Sequence, residues 1–207
     1  MEEMVQLTLN DLLVERPFTD PDHVAADSAI MRTMAMQAWN LSSQIHSPVN
    51  YYPCPNAWQK RTMLFDTSAM RNHELLSCVG FFGNKRVDVS PDLEREVSDA
   101  GKKLCDALYD LSSMVCYITN LLADAHNYAN FVVMKSPQTI EEWRKNEIHQ
   151  SVTALLSPSY YYNVRIYTGT LSVLDSLCAF KLDLQSVKYF DYTQTEPWRA
   201  MRTLRLV

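Results

Sequence analysis

The chain has 207 residues, a formal net charge of -5 and five cysteines, an odd number with no C-x-x-C pair. With 47% hydrophobic and 21% charged residues it can fill one large globular core, which excludes long disorder and a disulfide scaffold. Its four glycines (Gly80, Gly83, Gly101, Gly169) stand against an average of about 7%. That scarcity argues against many tight β-turns or a phosphate-cradling loop and points to an all-α fold.

The first stretch, "MVQLTLNDLLVERPF", predicts a short amphipathic helix over about 7–15 that Pro17 stops. Residues 1–30 carry a net charge of -6, and Leu12, Leu13 and Phe18 give the segment an apolar side. Residues 1–20 therefore read as an acidic arm. A capping residue followed by proline recurs at Asp20-Pro21, Ser47-Pro48, Ser90-Pro91, Ser136-Pro137 and Ser157-Pro158. Side-chain oxygens there accept from orphan N–H groups, and proline loses nothing at a first helical position. Four of the five sites open a helical pattern; Ser47-Pro48 leads into the loop "VNYYPCPNAW".

Helices are thus expected over about 21–45, over about 56 or 67 to 82, and over 91–135. In the last, apolar residues from Leu93 to Val132 recur at spacings of three and four. That near-heptad seam predicts one central helix roughly 65 Å long. Its second half is almost free of charge. There Asp124 shares a helical face with Tyr117 and Tyr128, a candidate buried polar site, because a buried carboxylate must be hydrogen-bonded or shift its pKa. Further helices are expected over 137–156 and from Pro158, where "SYYYNVRIYTGT" leaves a strand as the alternative. Residues 181–195 read as an irregular link.

The chain closes on "TEPWRAMRTLRLV", predicted as a short basic helix. Trp198, Arg199, Arg202 and Arg205 make it an arm of opposite sign to the first, with a net charge of +2 over 181–207. Such arms can pack on their own bundle, pair between chains or meet an anionic surface; three arginines are a weak footprint for nucleic acid or membrane. The domain scheme that follows is an arm over 1–20, a bundle of five to seven helices over 21–195, and an arm over 196–207.

Metal spacing is missing: Glu74 and Cys78 share one helical face without a third ligand, and Glu147 and His149 diverge. Cys54, between two prolines, is the cysteine expected to be exposed. No P-loop, G-x-G-x-x-G, G-x-S-x-G or H-E-x-x-H occurs, so no catalytic residue, cofactor or metal is assigned. The expected function is assembly: a cytoplasmic helical protein, with reduced thiols and no membrane span, contacting copies of itself or a protein partner through its arms. The alternative is a metal-independent enzyme or small-molecule binder with a pocket in the bundle near Asp124.

Overall fold

The computed structural model describes residues 4–44, 50–53, 60–72, 75–173 and 180–204, with backbone alone at 50–53, 60 and 173. Cys54, His73, Glu74, Cys178 and Arg205, and the side chains of Tyr51 and Tyr52, lie outside the described residues.

The fold is α+β, not all-α. Strands β1 (Val5–Leu7), β2 (Asn50–Pro53), β3 (Lys60–Leu64), β4 (Leu76–Lys85), β5 (Met114–Leu121), β6 (Tyr128–Met134), β7 (Tyr161–Val173), β8 (Phe180–Asp191) and β9 (Trp198–Thr203) join in one sheet. Their order is β1-β9-β8-β7-β4-β6-β5-β3-β2, antiparallel throughout except for the parallel β1–β9 pair. Helix α1 (Asp22–Ser42) lies on one face. On the other run α3 (Pro91–Ala107), α4 (Gln138–Lys145), α5 (Glu147–Ser151), a π-helical turn (Val152–Leu156) and α6 (Ser157–Tyr160); the short α2 (Thr67–Arg71) follows β3.

The 91–135 helix is overturned from its middle onward. Ser90 does cap α3, its hydroxyl accepting from the Leu93 N–H with Pro91 following. The helix ends at Ala107, and a 3-10 turn (Leu108–Asp110) leads into the β5–β6 hairpin. These strands are buried on the α1 face and half-buried on the other, and both faces carry apolar residues, so they read as continuous apolar runs, "MVCYI" and "FVVM", rather than alternating ones. A seam of threes and fours threads such runs by coincidence: Ala129 belongs to the core under α1, Val132 to the core on the opposite face. Nor does the hairpin need glycine at its turn, because Ala125 takes the left-handed conformation at φ 55°.

The same correction applies further on. Residues 161–173 and 180–191 pair as β7 and β8, and the closing segment is the strand β9 rather than a helix. The β-branched and aromatic run "YYNVRIYTGT" behaves as its composition suggests.

Both terminal segments are built into the sheet. Arg202 is fully buried; its Nε donates to Thr8 O (2.9 Å), Nη1 to Thr19 O (2.8 Å) and Nη2 to Asp11 O (2.7 Å). A buried guanidinium needs such acceptors, and the first arm supplies them as backbone carbonyls. Phe18 packs edge-on to Tyr189 and Trp198. Arg16 lies over the Trp198 ring at 4.3 Å and pairs with Asp191 at 3.2 Å. The arms thus close on each other inside one chain, and the reading of helical arms that assemble copies is overturned. Leu13 packs on the core, Arg199 is half-buried, and Leu12 stays 66% exposed.

Candidate functional site

The arm that buries Arg202 also walls a crevice of about 460 Å³ on the α1 face of the sheet, a size typical of small-molecule sites. Its floor is Phe82, Gly83 and Asn84 of β4 beside Asn163 and Arg165 of β7, where Phe82 opposes Arg165 and Asn84 opposes Asn163. Glu15, Pro17 and Phe18 of the arm and His23 of α1 form one wall. Leu122, Asp124 and Asn127 of the β5–β6 turn form the other, and Asp191 and Thr193 close the end.

Each wall is held in place. In the turn, Asp124 Oδ1 accepts from the His126 and Asn127 N–H groups, both at 2.9 Å, while Oδ2 accepts from Asn127 Nδ2 at 2.7 Å. Asp serves such turns because its short carboxylate reaches its own backbone two residues on. Asn127 Oδ1 in turn accepts from the Lys85 N–H at 2.7 Å, pinning the turn to the end of β4. Partial burial works against the Asp124 charge, but the Asn127 and His126 N–H groups outweigh it and hold the carboxyl below its ordinary value. At the far end, Asp191 Oδ1 accepts from Thr193 N–H (3.0 Å) and Oγ1 (2.6 Å), and its other oxygen faces Arg16.

On the same face, beside the floor, sits Asp27 of α1, 3% exposed. Arg165 grips it in a fork, Nε to Oδ2 at 2.7 Å and Nη2 to Oδ1 at 3.1 Å, and the Tyr167 hydroxyl donates to Oδ2 at 2.7 Å. Two-point pairing of this kind fixes the guanidinium plane. Burial disfavours the Arg165 cation, yet hydrogen bonding and charge from Asp27 more than offset it and raise its pKa. Burial, then the Asp27 charge, drives the Tyr167 phenol upward. Arg165 thus presents a fixed cation already matched by a carboxylate.

The sequence grouping of Asp124, Tyr117 and Tyr128 is not assembled. Asp124 is exposed at the crevice rim rather than buried. Tyr117 and Tyr128 stand on the opposite face, toward α3 and α4, because strands turn alternate residues to opposite sides. Burial pushes Tyr117 up to about 12 and raises Tyr128. Sequence reasoning missed Asp27, His23, Asn163 and Arg165. A signal existed in "NVRIY": read with period two, Asn163, Arg165 and Tyr167 share a face, while Val164 and Ile166 face the other way. Among the described residues no group of three or more His, Cys, Asp or Glu side chains is placed to hold a metal ion. Cys78, Cys105 and Cys116 are buried free thiols. Among the described residues no helix is long and apolar enough to cross a membrane.

No protein-family model matches the chain, and no curated protein matches it. Three solved structures are similar to parts of it. A Shewanella oneidensis protein is 12% identical with a TM-score of 0.40, covering 48% of this chain and 92% of its own. A dimeric ferredoxin-like protein of unknown function from Thermobifida fusca is 15% identical at a TM-score of 0.38, covering 46% and 90%. An anthrone oxidase-like protein is 15% identical at 0.39, covering 52% and 45%. Likeness of this degree carries neither activity nor oligomeric state to this chain.

Proposed function

We propose that the protein binds a compact cationic small molecule with a flat apolar face, held in the crevice between the first arm and strands β4 and β7. The observation that carries this reading is the charge around the crevice. Four carboxylates (Glu15, Asp27, Asp124, Asp191) face two guanidiniums, Arg16 and Arg165. Arg165 is engaged by Asp27, and Arg16 by Glu15 and Asp191. Asp124, held ionised by the turn, is the carboxylate whose bonds come from neutral donors. Phe18 and Phe82 offer apolar surface for a ring, and Asn84 and Asn163 offer carboxamides that donate and accept.

Benzamidine and benzoate test this as a pair of equal shape and opposite charge. Calorimetry is expected to give saturable benzamidine binding, about tenfold or more tighter than benzoate, a gap of about 1.4 kcal/mol. Asp124→Asn is expected to weaken benzamidine about two- to fivefold, as loss of a solvent-accessible charge should. Equal affinity for the two probes, or an indifferent Asp124→Asn, would overturn the reading.

A further inference from the structure

We propose that the gap between α3 and the sheet is a second ligand site, taking a flat, uncharged aromatic molecule that carries a hydrogen-bond donor. It lies on the face opposite the crevice and stands independently of that reading. The case begins with α3 itself. Leu93, Val97, Ala100 and Leu104 form its apolar stripe, and its other faces are charged. A helix of this pattern buries its stripe in whatever it covers. Here Cys105 is the one residue of α3 that is buried, while Leu93, Val97, Ala100, Gly101 and Leu104 remain half-buried. Gly101 falls on the same stripe, four residues after Val97 and four before Cys105. A methyl group placed there would meet no atom within 4 Å. At Gly101 the stripe therefore looks onto open space, while α5, the π-helical turn and α6 pack alongside the helix.

The helix is propped at both ends. Near its start Glu94 forms an ion pair with Lys85, which lies over the Tyr160 ring at 5.4 Å. At its end Cys105 Sγ accepts from Arg61 Nη1 at 2.7 Å, and Leu108 packs with Met114 and Met134. Between these props the sheet offers Phe81, Tyr117, Thr119, Asn130 and Tyr161, all half-buried. Tyr161 lies against the Gly83 Cα and meets Phe81 edge-on at 5.5 Å between centroids. Rings so arranged suit a flat aromatic guest.

Two features narrow the guest further. Asn130 Oδ1 is buried and accepts no hydrogen bond from any described residue. An orphan acceptor of this kind asks for an outside donor. The charges at the two ends are already partnered, and burial keeps the Tyr117 and Tyr161 phenols protonated. A charged guest would lose its hydration there without a counter-charge.

The probe is 2-naphthol, with 2-methoxynaphthalene as the same ring without the donor, followed by equilibrium dialysis. Wild-type protein is expected to bind 2-naphthol saturably and at least about tenfold tighter than its methyl ether. Gly101→Leu fills the gap and is expected to abolish binding while melting cooperatively at or above the wild-type temperature. Asn130→Leu is expected to erase the preference for 2-naphthol over the ether. The proposal fails if 2-naphthol does not bind, if Gly101→Leu binds it unchanged, or if Gly101→Leu melts well below wild type, since that would mean α3 already sits flush.

Discussion

Helices α1 and α3 lie on opposite faces of one sheet, yet they meet it differently. Met31, Met34, Ala35 and Ala38 of α1 are all 0% exposed, whereas α3 buries Cys105 alone. The difference lies in what each helix faces. The α1 side presents small residues at close-approach points: Gly80, where any Cβ would strike the Met31 sulfur, and Ala129 and Ala200 in the core. The α3 side presents Phe81, Tyr117 and Tyr161. Large rings occur on both faces, Phe82, Phe131, Tyr167 and Tyr189 under α1 among them, so it is the small residues at the contact points that let α1 close into a dry core. The same amphipathic pattern thus leaves α1 buried as a wall of the core and α3 half-buried on the other face.

The largest expected effect tests the tight side. Asp27→Ala strands the Arg165 guanidinium and the Tyr167 hydroxyl in a buried site and is expected to cost about 3–5 kcal/mol, read from urea unfolding. A loss under about 1 kcal/mol would mean water reaches Arg165 and the α1 face is not dry. A matched pair of enlargements sharpens the contrast. Ala38→Leu adds volume where none is free and is expected to cost about 1–3 kcal/mol. Gly101→Leu, in open space, is expected to gain up to about 1 kcal/mol from helix propensity. Equal losses at the two sites would erase the distinction between the faces.

The smallest effect concerns α2, beside the tight core. Asp66 accepts from the Ala69 N–H at 2.9 Å as its cap and pairs with Lys135 at 2.5 Å. Burial opposes its charge, but the Lys135 and backbone hydrogen bonds prevail and lower its pKa from 3.8 to about 2. A carboxyl lowered on folding stabilises the native state above its unfolded value, and that contribution fades as pH falls from about 3.8 toward 2. Asn caps about as well as Asp, so Asp66→Asn is expected to lose only the Lys135 pair, about 0.5–1 kcal/mol at pH 7, with the gap to wild type closing across that window. A gap independent of pH would contradict the pairing with Lys135.

Helix starts were legible in the sequence. Asp20-Pro21 and Ser90-Pro91 mark α1 and α3, because capping is local chemistry: Asp20 Oδ1 accepts from the Asp22 N–H as Ser90 does from Leu93. Helix ends and the strands were not. Glycine scarcity argues against many tight turns, yet Ala125 turns the β5–β6 hairpin with Asp124 and Asn127 supporting it. Strands covered by helices on both faces carry apolar residues on each and lose the alternation that distinguishes them from helices. The two arms are complementary in charge, but their union depends on Arg202 meeting carbonyls of Thr8, Asp11 and Thr19, more than 180 residues away in the chain. Of the crevice, Asp124 and Phe18 stood out in sequence; Arg165 and Asp27, 138 residues apart, meet only through the fold.

The most direct measurement is a pair of NMR titrations on the nitrogen-15-labelled chain, one with benzamidine and one with 2-naphthol, followed by both together. Benzamidine is expected to shift His23 and the Asp124–Asn127 turn, 2-naphthol to shift Val97–Leu104 of α3, and each to bind unchanged in the presence of the other. Competition between the probes, or shifts from both on one set of residues, would contradict a sheet that carries two separate sites on its two faces.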